Sequence, residues 1–233
     1  MIEENLSHIR HRIRAACESS HRPLSHVTLL AVSKKQSVHS IKRALAAGVH
    51  AFGENYVQEG ISKIHDLEYC RDQLEWHFIG HIQSNKTREV ATYFDWVHTI
   101  ERKKIAQRLS EQRASSLPPL QVCIQVNISA ENSKSGVRPD EVFNLAKYIM
   151  SLPRLQLRGL MSIPQLSSEP EDLSACHRTL RVLLKELRST LNITDSYILD
   201  TLSMGLSADL ELAIEEGATL VRVGSALFGD RIG

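Results

Sequence analysis

Leu29-Leu30-Ala31-Val32-Ser33-Lys34 is an apolar, strand-like run that ends abruptly on a lysine. A buried strand ordinarily closes on a turn residue or a cap. A lysine in that place carries a flexible amine to the rim of a sheet on a rigid element, and half-buried amines are nucleophiles toward aldehydes. A solvated lysine at a strand end is the plainer reading of this residue alone. The far end of the chain weighs against it: Leu220-Val221-Arg222-Val223-Gly224-Ser225 is a second strand with a cation in its middle, running into a small-residue turn.

Between these two runs the sequence alternates. Strand-like segments fall at Val27–Ser33, Ala51–Gly53, Glu75–Gly80, Trp96–Ile100, Leu120–Ile128, Leu155–Met161, Tyr197–Leu202 and Leu220–Val223. Helical stretches lie between them, around 38–47, 55–67, 84–92, 102–113, 139–150, 170–190 and 207–216. Ahead of them all, Ile2, Leu6, Ile9, Ile13 and Ala16 recur at three- and four-residue steps, the period of an amphipathic helix. Unbroken alternation predicts an α/β protein with a parallel sheet, and eight strands close naturally into a single (β/α)8 TIM barrel, here with an extra N-terminal helix. The 233 residues suit one such domain spanning 1–233. The softest segments are Ser115–Pro119, a tight lead into a strand, and Pro164–Pro170, a longer loop after strand six.

Composition excludes several function classes. The formal charge of +1 and the interleaving of Glu101-Arg102-Lys103-Lys104 argue against a nucleic-acid footprint. Met1-Ile2-Glu3-Glu4 is acidic and lacks the apolar core of a signal peptide, and no apolar stretch approaches membrane length. Cys17, Cys70, Cys123 and Cys176 are widely spaced, without a CxxC pair, so neither a disulfide framework nor a zinc site is expected. These features predict a cytoplasmic protein of a reducing compartment, without a membrane or nucleic-acid partner.

Barrel geometry then sorts the residues. Alternation along strand eight directs Val221 and Val223 toward the helices and Leu220 and Arg222 into the barrel. A buried guanidinium needs a partner, either a carboxylate such as Asp200 or Glu54, or a ligand. Barrel enzymes work at the face where strands end, with phosphates commonly held after strands seven and eight. Strand seven leads into Ser203-Met204-Gly205-Leu206-Ser207, then a helix with Asp209 and Glu211 in its first turn; strand eight leads into Gly224-Ser225. Glycines admit an anion close to backbone N–H groups and hydroxyls add donors, although Ser207 alone reads equally well as an N-cap. An amine, a buried guanidinium and anion-binding turns together suggest pyridoxal phosphate.

Other exits are also polar. Strand two leads into Gly53-Glu54-Asn55-Tyr56, and strand three places His77 and Ile79 on one face, with Trp76 and Phe78 on the other. His77 and His81 lack a third ligand at suitable spacing, which favours polar packing over metal binding. Strand five ends near Asn127, and Lys134 in the following loop is a surface lysine on the same rim.

The chain resembles the pyridoxal phosphate homeostasis proteins (YggS/PROSC type), whose fold is that of the alanine racemase N-terminal barrel. The resemblance covers nearly the whole length. It rests on Leu29–Lys34, Phe52-Gly53-Glu54-Asn55-Tyr56-Val57-Gln58-Glu59, Glu75-Trp76-His77-Phe78-Ile79-Gly80 and Gln83-Ser84-Asn85-Lys86, then on Glu131–Gly136, Arg158-Gly159-Leu160-Met161, Ser203–Ser207 and Val221–Ser225. It implies that Lys34 holds pyridoxal 5'-phosphate as an internal aldimine and that Arg222 faces the pyridine nitrogen. It places Ser203, Gly205, Gly224 and Ser225 around the phosphate, with Asn55, His77 and Met161 lining the pocket. Lys34-Lys35-Gln36-Ser37 departs from the family pattern, leaving no lysine at position 36 and assigning Lys35 to the helix side or solvent. Leu206 and Ser225 are mild departures that keep apolar bulk and a hydroxyl.

A carboxylate at the ring nitrogen completes the electron sink of this cofactor, and an arginine weakens it. Racemisation also needs two bases, one on each face of the planar intermediate. Lys34 supplies one; Tyr56, the nearest tyrosine candidate for the other, reads as packing under the rim. The chain stops soon after strand eight, where racemases of this fold add a second domain. The resemblance therefore implies a monomeric, non-catalytic carrier in vitamin B6 homeostasis, with no catalytic residue, no metal, and apo-enzymes as recipients. A racemase-type enzyme is the alternative.

Overall fold

In a computed structural model, which describes residues 1–128, 135–164 and 169–229, eight parallel strands close into a barrel in sequence order. They are β1 (Thr28–Val32), β2 (Ala51–Glu54), β3 (Glu75–Phe78), β4 (Trp96–Ile100), β5 (Leu120–Gln125), β6 (Leu155–Met161), β7 (Thr201–Ser203) and β8 (Leu220–Val223). The barrel closes where Leu30 pairs with Arg222 and Ala31 with Val223. Around it run α2 (Val38–Ala46), α3 (Val57–Asp66), α4 (Thr87–Tyr93), α5 (Lys103–Gln112), α6 (Val142–Met150), α7 (Pro170–Thr190) and α8 (Leu210–Glu215). α1 (Ile2–Ser19) precedes the first strand, and a one-turn α9 (Ser225–Phe228), unforeseen in the sequence, follows the last.

The strand period separates two cores. Phe52, Trp76, Phe78, Val221 and Val223 face outward into the main core beneath the helices, where Phe52 meets Trp76 and Phe78 meets Phe94 edge-on. Leu30, Ala51 and Leu220, with Ile79, form a small cluster inside the barrel; Trp96, Cys123 and Met161 form another. The apolar stripe of α1 is buried as its spacing requires. Each of its Ile and Leu side chains contributes ~1.5–3 kcal/mol if fully withdrawn from water. Arg12 on its other side pairs with Glu211 at 2.6 Å and donates to the Ser207 carbonyl at 3.0 Å, so α1 braces the loop after β7.

Several boundaries differ from the sequence reading, among them the end of β3, which falls at Phe78 rather than Gly80. β1 ends at Val32 rather than Ser33, because Ser33 starts a turn in which Lys35 takes φ +59°. β5 ends at Gln125; Val126 makes only an isolated bridge with Val137. The run Tyr197–Asp200 is not strand: Asp195 accepts the Tyr197 N–H at 2.8 Å, Leu199 has φ +55°, and Asp200 is held by Arg158. β7 is consequently short and starts at Thr201.

Candidate functional site

Ser33, Lys34 and Lys35 form the turn out of β1, and a buried charge cluster clamps both of its sides. Lys63 of α3 donates to the Ser33 carbonyl at 2.7 Å, to Glu54 Oε1 at 2.8 Å and to Glu59 Oε1 at 2.6 Å. Ser33 Oγ donates to Glu54 Oε1 at 2.6 Å, and the Lys35 backbone N–H donates to Glu59 Oε1 at 2.5 Å. The peptide groups before and after Lys34 are thus tied to one ammonium and two carboxylates. Burial pushes the Glu54 carboxyl up, opposed by Lys63, and its second oxygen has no hydrogen-bond partner. Lys34 is half-buried in the turn that follows β1, whereas Lys35 is exposed.

Arg222 lies inside the barrel, 3 % exposed, with Leu220 as its inward neighbour. Its partners are neither of the carboxylates considered from sequence. Asp200 is bound to Arg158 at 2.6 Å and Glu54 to Lys63, both away from Arg222. Instead Nη1 donates to the Ser203 carbonyl and hydroxyl, each at 2.7 Å, and Nη2 to the Ser162 carbonyl at 2.8 Å. Burial pushes its pKa down to about 10, which leaves it a cation at neutral pH. A guanidinium has five donor hydrogens, so donors remain for a ligand beyond the three bonds made to β7 and to the residue after β6.

The turns at the ends of β7 and β8 are built differently. Gly205 has φ +90°, and a Cβ there would lie 2.6 Å from that of Ala213, so only glycine fits. Its carbonyl accepts the Arg222 backbone N–H at 3.0 Å. Asp209, the residue before α8, closes the loop by accepting the Leu206 N–H at 2.6 Å and bonding His177 of α7 at 2.9 Å. At the end of β8, Gly224 has φ −113°, and a Cβ would meet only Val32, at 3.5 Å. Packing does not exclude a side chain there, and the space beside it is open to another group. Ser225, exposed at the start of α9, begins a turn whose first N–H groups have no intrahelical acceptor.

The other expected residues divide by depth. Met161 and His77 lie in the barrel interior, Met161 against Trp96 and Cys123, and burial pushes the Cys123 thiol up to about 12. Asn55 is half-buried at the exit of β2 and its Oδ1 lacks a partner, as does Ser162 Oγ beyond β6. Tyr56 is 54 % exposed rather than packed under the rim. His81 sits on the surface beside Glu101, apart from His77, and among the described residues no three His, Cys, Asp or Glu side chains are grouped to hold a metal ion. Lys134 lies outside the described residues.

Sequence reasoning missed Lys63, His98, His177 and Ser162. Lys63 looks like any solvated lysine on an amphipathic helix. His98 sits in β4, where all five residues are buried and no alternation is visible. It bonds Ser203 Oγ through Nδ1 at 2.8 Å and His77 Nδ1 through Nε2 at 2.9 Å. The Ser203 hydroxyl is therefore engaged by Arg222 and His98 inside the barrel.

Residues 5–232 match the family described as alanine racemase, N-terminal domain. Among curated relatives, the pyridoxal phosphate homeostasis protein of Vibrio cholerae is 53 % identical over 233 residues, covering 99 % of this chain and 96 % of its own. The protein of the same name from Escherichia coli K12 is 49 % identical, covering 99 % and 97 %. Among solved structures, PipY of Synechococcus elongatus with pyridoxal phosphate (PLP) bound superimposes with a TM-score of 0.84 at 35 % identity, over 98 % of this chain and 100 % of that one.

Proposed function

This chain belongs to the alanine racemase N-terminal domain family, and on that premise we propose that it is a pyridoxal phosphate-binding protein, anchored through Lys34, that holds and releases the cofactor in vitamin B6 homeostasis. The observation that carries this reading is Arg222: a buried cation whose hydrogen bonds, among the described residues, all go to neutral acceptors, with donors left over, the buried Asp209 acting on it only through its charge. The rest of the mouth fits the same group. Lys34 offers an amine on a clamped turn, Asn55 Oδ1 and Ser162 Oγ are unpartnered, and Gly224 leaves an open cradle beside Ser225.

When bound, the cofactor supplies an aldehyde that condenses reversibly with a primary amine, with loss of water, and a ring that withdraws electrons when its nitrogen is protonated. Lys34 Nζ is the amine. Lys63, Glu54 and Glu59 fix the peptide groups on either side of it, so little ordering remains at the moment of attachment. Arg222 presents N–H donors to the ring nitrogen and, being itself a cation, keeps a proton off it. That arrangement suits storage better than carbanion chemistry. Gly205, Gly224 and Ser225 would hold the phosphate through backbone N–H groups, with Ser203 acting through Arg222 and with His77 and Met161 deeper in the barrel.

On this reading residues 1–233 act as one monomeric, cytoplasmic PLP-binding barrel, with PLP-dependent apo-enzymes as recipients. The names borne by relatives at about half identity support the part of it that concerns PLP homeostasis. The test loads the purified protein with PLP, removes the excess, and follows visible absorbance, transfer to an apo-enzyme, and racemisation across the amino acids. Retained absorbance, transfer and no turnover are expected. Turnover that is lost in Lys34→Ala would establish the racemase reading in its place.

A further inference from the structure

A hydrogen-bonded chain crosses the barrel interior from Arg222 to the opposite mouth. Arg222 Nη1 donates to Ser203 Oγ, which is 2.8 Å from His98 Nδ1. His98 Nε2 is 2.9 Å from His77 Nδ1, and His77 Nε2 is 2.8 Å from Glu75 Oε1. Ser203, His98 and His77 are buried, and Trp96 stacks on the His77 ring at 5.2 Å with planes 13° apart. Glu75 begins β3 at the N-terminal mouth, half-exposed in a cavity of about 820 Å³ that also reaches Arg158 and Thr219.

The chain has an end at which direction is fixed. An ionised carboxylate only accepts hydrogen bonds, and a guanidinium only donates. Burial works against ionisation of Glu75, yet its hydrogen bonds to His77 and Trp96, with the charge of Arg158 nearby, hold the half-exposed carboxyl below its usual range. His77 Nε2 must then carry the proton given to Glu75. With one proton on the ring, His77 Nδ1 accepts from His98 Nε2–H, and His98 Nδ1 accepts from the Ser203 hydroxyl. The serine proton thus goes to His98, and the hydroxyl keeps its acceptor capacity for Arg222 alone, whereas a donating His98 Nδ1–H would compete with Arg222 for it.

We propose that Glu75 sets the polarity of this chain and, through it, the orientation in which Arg222 meets the cofactor ring. Glu75, His77 and His98 are then positioning residues for a group bound at the far mouth of the barrel. The functional half of this proposal rests on the PLP reading; the polarity itself does not.

Two measurements test it. In the cofactor-free protein with ¹⁵N-labelled histidine, long-range ¹H–¹⁵N spectra are expected to show His77 and His98 both neutral and both protonated at Nε2. A proton on Nδ1 of His98, with His77 doubly protonated, would overturn the proposal. Glu75→Lys replaces the acceptor with a side chain that only donates, at a position half open to solvent. Both rings are expected to switch to Nδ1–H, and PLP release is expected to quicken about tenfold, a usual size for coupling between distant sites. Unchanged tautomers, or switched tautomers with unchanged release, would overturn it. A wild-type protein that shows the expected tautomers but takes up no PLP would instead sink the cofactor reading.

Discussion

The ammonium of Lys63 lies 2.7 Å from the carbonyl of Ser33, the residue before Lys34, and is itself almost fully buried. A lysine from the helix after β2 thus holds the backbone of the turn after β1. Removing it leaves Glu54 and Glu59 without their cation. Lys63→Ala is expected to lose ~3–5 kcal/mol of stability, the usual cost of breaking a buried pair from one side. Lys63→Met combined with Glu54→Leu should recover most of that loss, because the unpaired charge goes too. Urea unfolding of wild type and the two variants measures both numbers, and PLP uptake should stay slowed even in the stable double variant.

Arg222→Ala removes the side-chain donor to the Ser162 carbonyl and leaves the Ser203 carbonyl with only the Ser162 N–H, at 3.2 Å, in the barrel interior. Each buried polar group left unsatisfied costs ~1–3 kcal/mol. The variant is expected to be less stable by a few kcal/mol and to bind PLP weakly. Arg222→Lys, which restores a cation without the planar fork, should regain stability more fully than cofactor affinity. Denaturation and equilibrium dialysis read the two effects apart.

Gly205 and Gly224 look alike in sequence and should behave oppositely. Gly205→Ala forces a side chain onto φ +90° and against Ala213, a strain of ~1–3 kcal/mol. Gly224→Ala meets no closer atom than Val32 at 3.5 Å, so packing adds no penalty there. If the phosphate sits beside Gly224, that methyl will still weaken PLP binding. Equal affinity in Gly224→Ala and wild type would move the phosphate elsewhere.

The barrel was legible from its alternation, and parity along β8 placed Arg222 inside; His77 was assigned to the pocket only by the family resemblance, parity having put it on one face with Ile79. The supporting residues were not legible. Asp200 and Glu54 were reasonable partners for Arg222 by charge, but nothing in the sequence reveals that Arg158 and Lys63 take them first. Tyr197–Asp200 carries a strand-like pattern, yet the Asp195 side chain captures the backbone locally and Leu199 turns left-handed. His98 was invisible for a different reason: a strand buried on both faces offers no period from which to tell inward from outward.

Asp209 links the turn after β7 to acid stability. It is 1 % exposed, and burial alone would raise its pKa; His177 and the Leu206 N–H outweigh that and hold it below the ordinary 3.8. A depressed carboxyl contributes stability that is present above its unfolded pKa and lost as pH falls through the folded one. Asp209→Asn should therefore be less stable than wild type by ~1–3 kcal/mol at pH 7. The gap should narrow only below pH 3.8. Urea titrations at neutral and acid pH give the comparison.

The central claim is that Lys34, and no other lysine, holds the cofactor. Wild-type protein incubated with PLP, reduced with borohydride, digested and read by mass spectrometry tests it directly. The account predicts one stoichiometric pyridoxyl label, on the peptide bearing Lys34. A label on Lys35, Lys63 or a scatter of surface lysines, or no label at all, would contradict it.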